Sequence, residues 1–303
     1  MTRRVLVTGA SGFIGRQAVP ALVANGWEVH AAARRPIELP GAAAHAVDLM
    51  DAEAVAALLV AVRPSHLLHL AWDVTPGRYW SGRENLDWVA ASLRLYRAFV
   101  AAGGERVVAA GTCAEYDWTS DPLEETAPLR PATLYGKAKA AVSELLAASA
   151  PADGIGLAWA RLFFLYGPHE HRSRLVPSVI VPLLQGEPAL IGEGLAQRDF
   201  MHVADVAAAL VTVLESEHVG PVNIARGGIV PIREVARAIA EQIGRPELLR
   251  IGARPTPIEP GRLGASGAVL AGLGFRPRFS HKAGIADTIG WWRRALTGAI
   301  RER

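Results

Sequence analysis

Val5-Leu6-Val7-Thr8-Gly9-Ala10-Ser11-Gly12-Phe13-Ile14-Gly15 is a short apolar run that breaks into glycines spaced three apart and then continues with helical periodicity. The pattern predicts strand, tight turn, helix. In such a unit Gly9 permits the turn, Gly12 lets a pyrophosphate approach bare backbone, and Gly15 lets the helix pack closely on the strand, with its N-terminus facing the anion. Gly9, Ser11, Gly12, Phe13, Ile14 and Gly15 are therefore the candidate dinucleotide contacts of this turn. Glycine supplies 30 of the 303 residues, so the spacing alone is weak evidence. Its place directly after a strand and before a helix gives it weight.

The chain is 50% hydrophobic and 20% charged, enough to bury a full core as one large domain or two coupled ones. It enters its first strand within four residues, and no uncharged apolar run approaches the ~18 residues of a membrane span. A cytoplasmic location without membrane contact is expected. The single cysteine, Cys113, excludes an internal disulfide and a thiolate metal cluster. A net charge of +3 without a dense basic block argues against a nucleic-acid partner. Of 32 basic residues only Lys137, Lys139 and Lys282 are lysine, which makes each of them informative.

Strands and helices then alternate. Phe13 to Asn25 predicts a first helix, kinked or shortened by Pro20, and Glu28 to Ala33 a second strand, completing a right-handed βαβ unit. Roughly 20 residues beyond the glycines many dinucleotide sites carry an acid for the ribose 2′-hydroxyl. Here the residues are Ala33-Arg34-Arg35. A guanidinium without a carboxylate favours a 2′-phosphate, hence NADP(H) over NAD(H), with Arg34 as the candidate ligand. A strand over Ala44 to Leu49 ends in Asp48-Leu49, candidates for the adenine side, although Asp48 can equally cap a turn. A helix over Asp51 to Val62 leads to a strand over Ser65 to Ala71, whose end places Leu70, Ala71 and Trp72 along the nicotinamide ribose. His69, inside that apolar strand, reads as a satisfied core histidine.

A long helix over Glu84 to Ala102 and a strand over Arg106 to Ala110 lead to Gly111-Thr112 at another carboxyl-terminal strand edge. A proline-containing loop (Asp117 to Pro131) feeds a helix beginning near Thr133 that holds Tyr135 and Lys139. Four residues apart on a helix, these two share a face. A phenol titrates near ~10, too high for proton transfer at neutral pH until a cation favours the phenolate. Lys139 supplies that cation and can hydrogen-bond ribose hydroxyls, and Thr112 would hold the substrate oxygen. Thr112, Tyr135 and Lys139 are the candidate catalytic residues.

With these motifs in this order the chain resembles the extended short-chain dehydrogenase/reductase family of nucleotide-sugar epimerases, dehydratases and ketoreductases. The resemblance also rests on Asp48-Leu49, His69-Leu70-Ala71, Arg161-Leu162-Phe163 with Tyr166-Gly167-Pro168, Arg198-Asp199-Phe200 with Asp205-Val206-Ala207, and Val222-Asn223-Ile224. It implies hydride transfer at a sugar carbon of a nucleotide-sugar substrate and a homodimer on the helices around 86 to 101 and 134 to 148. It also implies Arg198 over the nucleotide diphosphate, for which an Arg198-Asp199 ion pair is the alternative. Family dehydratases carry an Asp-Glu pair just after the catalytic threonine, where this chain has Cys113 and Ala114. Family epimerases generally keep NAD tightly and carry an acid at the end of the second strand. Phe164 stands where the family tends to place a phosphate-binding asparagine, which weakens the carry-over of diphosphate contacts.

In the remaining third, Leu175 to Leu184 predicts a helix, Ala189 to Gly194 a strand or hairpin, and Asp205 to Ser216 a helix returning to a strand over Val222 to Ile224. Ile232 to Ile243 predicts an amphipathic helix, and Gly244 to Pro260 a loop on the substrate side. His169-Glu170-His171-Arg172 is an exposed loop with nearby arginines, and no metal is expected there. Trp291-Trp292 marks a terminal helix docked on the domain. The expected fold is a doubly wound parallel (Rossmann) α/β sheet, 1–166 with 203–226, carrying a smaller substrate domain, 167–202 with 227–303. The expected activity is NADPH-dependent reduction of a nucleotide-linked keto-sugar of the 4-keto-6-deoxyhexose type. The alternatives are a nucleotide-sugar epimerase with tightly bound NAD and a dinucleotide-sensing binding protein.

Overall fold

The computed structural model describes residues 3–35, 37–119, 121–255 and 261–298. β1 (Arg4–Thr8), α1 (Gly15–Ala24), β2 (Glu28–Ala33), β3 (Ala42–Ala46), α2 (Ala52–Val62), β4 (His66–His69), α3 (Glu84–Ala101), β5 (Arg106–Thr112), α4 (Leu134–Asp153) and β6 (Gly156–Leu162) alternate along the first half. Then come β7 (Phe164–Tyr166), α5 (Leu175–Gln185), β8 (Ala189–Leu190), β9 (Gln197–Arg198), β10 (Phe200–His202), α6 (Val203–Glu215) and β11 (Gly220–Ile224). α7 (Ile232–Ile243), α8 (Ala268–Gly272) and α9 (His281–Leu296) follow, with short strands between them.

The main sheet has seven parallel strands in the order β11-β6-β5-β4-β1-β2-β3. The expected α/β doubly wound sheet is present. Its strands are short apolar runs because helices cover both faces: Val5 and Val7 point into one core with Leu22, Leu210 and Leu214, while Leu6 points into the other with Leu59, Leu95 and Phe99. A third core joins α5, α7 and α9 through Ile180, Ile239, Ile289 and Trp292, so the tryptophan pair lies in a docked helix. The strand order reverses between β1 and β4, so the loops leaving them diverge and open a crevice at the carboxyl ends.

Local chemistry sets the boundaries. Asp51 caps α2 by accepting from the N–H groups of Glu53 and Ala54, and Thr133 caps α4 by accepting from Gly136. α1 runs through Pro20, which sits on its exposed side, and is shorter at both ends than Phe13 to Asn25. β3 lies earlier than Ala44 to Leu49 because its ladder with β2 stops where Ala33 meets Ala46. Asp48 and Leu49 are thus beyond the strand. β4 is also shorter than Ser65 to Ala71: Leu70 still donates its N–H to Thr8 O at 3.2 Å, and there the chain turns away. β8 ends at Leu190 rather than Gly194, paired in parallel with Leu249–Arg250 inside the loop expected over 244–260; residues 256–260 of that loop lie outside the described residues.

Candidate active site

At the crevice, Gly9 has φ +69°, and its carbonyl accepts the Gly12 N–H at 2.9 Å. A Cβ on Gly9 would lie 2.8 Å from Ala71 N, so the end of β4 can approach the turn only because the side chain is absent. α1 begins with no side-chain cap and no acidic residue in its first turn, with Ser11 and Gly12 exposed and Phe13 and Ile14 half-buried. An uncapped helix N-terminus beside exposed backbone fits the pyrophosphate of a dinucleotide. Arg34 is exposed at the end of β2. With the Thr75 hydrogen bond as the main cause, and Arg78 and Arg34 adding their charge, the Asp73 carboxyl is held below its ordinary value. Asp48 accepts the Met50 N–H at 3.0 Å on an exposed turn, the capping role, while Leu49 is buried.

Thr112 at the end of β5 and Tyr135 in the first turn of α4 come together. Burial raises the Tyr135 phenol above its ordinary value, and a hydrogen bond with Thr112 opposes that rise. Lys139, one turn along α4, is buried and lowered to about 7, chiefly by desolvation, with the Glu115 charge opposing the fall. Its ammonium does not lie against the phenol in the manner the spacing suggests. Nζ donates to Ala110 O at 2.7 Å and stands 3.9 Å over the Trp72 ring. Trp72 is held there because its Nε1 donates to Asn85 Oδ1 at 2.9 Å. Around Tyr135 the rings of Tyr79, Trp80 and Trp72 stand edge-on with centroids at 5.0, 5.8 and 6.3 Å. Trp72 thus walls Tyr135 and Lys139 at the end of β4, where the sequence reading expected it along the nicotinamide ribose.

Arg198 is buried, donates through Nη1 to Gln197 O at 2.9 Å, and lies 5.3 Å over the Phe164 ring. Asp199 takes the N–H groups of Arg226, Gly227 and Gly228 at 2.9, 2.8 and 3.1 Å, so its oxygens serve the loop after β11. The 169–172 loop is not exposed throughout: Glu170 is buried and half-buried His169 packs on Trp291, while His171 is exposed and its ring meets Ser173 Oγ at 2.9 Å. Among the described residues no group of three His, Cys, Asp or Glu side chains is arranged to hold a metal ion, and no helix is long and apolar enough to cross a membrane. Glu115, fully buried beside Thr112, was not among the candidates from sequence. Its signal was the Thr-x-x-Glu spacing of a capping box at Thr112-Cys113-Ala114-Glu115.

His69 is a satisfied core histidine: Nδ1 meets Thr8 Oγ1 at 2.7 Å and Nε2 meets Ser92 Oγ at 3.0 Å. Burial first, and the Lys139 charge second, push it from 6.5 down to about 3. Below 6.5 the unfolded chain takes up a proton that the fold refuses, so this stability is present above that pH and is lost as pH falls toward about 3. The loss amounts to about 2 kcal/mol between roughly pH 7 and pH 5. Urea unfolding at both pH values is expected to show a steeper loss in wild type than in His69→Gln, which keeps hydrogen-bonding groups but does not titrate. Equal losses would show that His69 carries no such linkage.

A glycine turn at the switch point of a parallel sheet, with Thr, Tyr and Lys converging beside it, defines an enzyme that moves hydride with a nicotinamide dinucleotide. The family model described as the NAD dependent epimerase/dehydratase family matches residues 5–225, and the chain belongs to that family. It is 29% identical to a UDP-glucose 4-epimerase of Thermus thermophilus solved in complex with NAD, with a TM-score of 0.86 over 96% of this chain and 99% of that one. It is 27% identical over 325 residues to a UDP-glucose 4-epimerase of Streptomyces lividans, covering 96% of each chain. To a 3-diazoavenalumate denitrifying reductase of a Streptomyces species it is 32% identical over 255 residues, 80% of this chain and 82% of that protein.

Proposed function

We propose that the chain is a nucleotide-sugar epimerase, inverting a hydroxyl-bearing ring carbon of a nucleotide-linked hexose with NAD as the hydride store. The observation that carries it is the junction of Thr112 and Tyr135, with Lys139 one turn away, beside the Gly9 to Gly15 turn. Cys113 and Ala114, where water-eliminating members carry an acid and a base, leave hydride transfer without dehydration. Likeness to the two UDP-glucose 4-epimerases supports the epimerase over the net reductase expected from sequence.

The bound dinucleotide supplies the hydride acceptor and donor. Thr112 hydrogen-bonds the substrate oxygen and, with Tyr135, fixes its position. Tyr135 takes the hydroxyl proton as the carbonyl forms and returns it when the carbon is reduced again. Lys139, lowered to about 7 by burial and supported by the Glu115 charge, supplies positive charge to the buried site in its protonated form and so favours the phenolate. The Tyr79 and Trp80 rings exclude water from the reacting hydroxyl.

The test is incubation of the purified protein with a panel of nucleotide-linked hexoses and 4-keto-hexoses, with NAD(H) and NADP(H) in turn. An isomer seen by chromatography without net cofactor consumption supports epimerisation. No conversion of any of them would overturn it.

Net reduction with NADPH is the second reading, favoured by the absence of a carboxylate at Ala33-Arg34-Arg35 and by likeness to the denitrifying reductase. On it, Arg34→Ala weakens NADP(H) at least about tenfold more than NAD(H), the loss of one charge-assisted contact to a phosphate. Fluorescence titration with both reduced cofactors measures this. Equal weakening removes the 2′-phosphate assignment and with it the NADPH reading.

A further inference from the structure

Glu115 closes the short 3₁₀ turn Cys113–Glu115 that follows β5, and its carboxylate faces back under Thr112. Oε1 accepts the Thr112 N–H at 2.7 Å, and both oxygens lie 3.0 Å from Trp159 Nε1. Oε2 receives Arg161 Nε at 2.9 Å. Arg161 is fixed in turn: Nη1 donates to the Tyr116 hydroxyl at 2.9 Å and to Glu125 O at 3.0 Å, and the Tyr116 hydroxyl donates to Asn223 Oδ1 at 2.7 Å. Gly111 makes room for the group, since a Cβ there would lie 2.7 Å from Glu115 Oε1 and would strike the Trp159 indole. Groups from β5 and β6 thus converge on one carboxylate, with Asn223 of β11 holding the Tyr116 hydroxyl behind Arg161, and that carboxylate grips the backbone of Thr112. Capping a three-residue turn does not require a buried ion pair, whose desolvation cost can exceed its attraction.

We propose that Glu115 is a positioning residue of this active site: clamped by Trp159 and Arg161, it fixes the backbone that aims the Thr112 hydroxyl at Tyr135, and it sets a fixed negative charge behind Lys139. For its bearing on turnover the proposal rests on the Thr112, Tyr135 and Lys139 assignment above.

The electrostatics agree with the geometry. Lys139 faces neutral His69 and the Trp72 ring after β4, Ala110 O from β5, and the Glu115 charge. Glu115 faces Arg161 and Trp159 from β6, the Thr112 amide, and the Cys113 thiol, which burial pushes up to about 12. Burial raises the Glu115 carboxyl, while Arg161, the Thr112 amide and Trp159 resist that rise. Burial also works against the Arg161 charge, and Tyr116 and Glu115 outweigh it. The charge facing Lys139 belongs to a paired carboxylate held in place.

With only three lysines in the chain, protein grown on carbon-labelled lysine gives three side-chain signals to follow against pH by NMR, without any sugar. Glu115→Gln keeps the shape and an acceptor but removes the charge; Glu115→Asp keeps the charge and ion pair but withdraws from the Thr112 N–H. Thermal melting shows that each variant is folded. Lys139 is expected to titrate near about 7 in wild type and near that value in Glu115→Asp. In Glu115→Gln it is expected about one pH unit lower. Glu115→Asp is expected to lose about tenfold in kcat with KM within about twofold, the mark of lost alignment. Coincident Lys139 titrations in wild type and Glu115→Gln, or full kcat in Glu115→Asp, would reduce Glu115 to a turn cap. A wild type that converts no sugar overturns the functional assignment instead, and the lysine titration still decides whether Glu115 sets the charge behind Lys139.

Discussion

Tyr135→Phe is expected to lower turnover about 10³-fold while leaving dinucleotide affinity within about twofold. The substitution removes one oxygen and keeps the ring whose edge-on neighbours are Tyr79, Trp80 and Trp72, so the packing of the first turn of α4 is unchanged. On the proposed mechanism Tyr135 is the group that accepts and returns the proton. The Thr112 hydroxyl is far too weak an acid, and the Lys139 ammonium is held by Ala110 O and the Trp72 ring. Burial raises the phenol, so its catalytic use depends on the Thr112 hydrogen bond that opposes the rise. Product formation by chromatography measures the loss, and fluorescence titration with the reduced dinucleotide measures binding. A variant that retains more than about a tenth of the activity would take the proton transfer away from Tyr135.

Sequence made visible those features whose physics is local. The Thr8 to Gly15 turn, the Glu28–Ala33 strand, the Ile232–Ile243 helix and the Tyr135-x-x-x-Lys139 face each depend on residues within about two helical turns of each other. Features set by neighbouring strands were hidden. Glu115 was open to notice as a turn cap, but its ion pair joins it to Arg161, 46 residues away, and exists because β5 and β6 pair with Gly111 opposite Arg161. Trp72 was read by its place after β4, along the nicotinamide ribose. Its orientation over Lys139 is decided by Asn85 at the start of α3, on a separate segment of chain. Asp199 was weighed only against its neighbour Arg198, whereas its partners are the amides of 226–228. The cofactor preference was read from Ala33-Arg34-Arg35 alone. Arg34 is exposed at the end of β2, where a side chain answers to solvent and ligand more than to the fold.

Gly15→Ala separates the packing role of the third glycine from the binding role of the second. Helix propensity by itself favours alanine over glycine by about 1 kcal/mol, and Gly15 is the first residue of α1. The local geometry opposes it. A Cβ at Gly15 would strike the Gly9 carbonyl oxygen and lie 2.7 Å from both Cα and O of Ala10, all of them backbone atoms with no rotamer to yield. Relief requires α1 to move off β1, disturbing the core around Ala18, Val19 and Leu22. The steric term wins: a net loss of about 2–3 kcal/mol and a lower melting temperature are expected. Dinucleotide affinity falls with it, because the turn and the helix N-terminus no longer share one geometry. At Gly12 the added Cβ meets only the Gly9 oxygen, at 3.1 Å, and otherwise faces the exposed side of the turn. Gly12→Ala is therefore expected to melt within a few degrees of wild type while binding the reduced dinucleotide at least about tenfold more weakly, since its methyl group occupies the approach to bare backbone. Equal melting of Gly15→Ala and wild type would mean that α1 does not need its close contact with β1. Unchanged affinity in Gly12→Ala would place the pyrophosphate somewhere other than this turn.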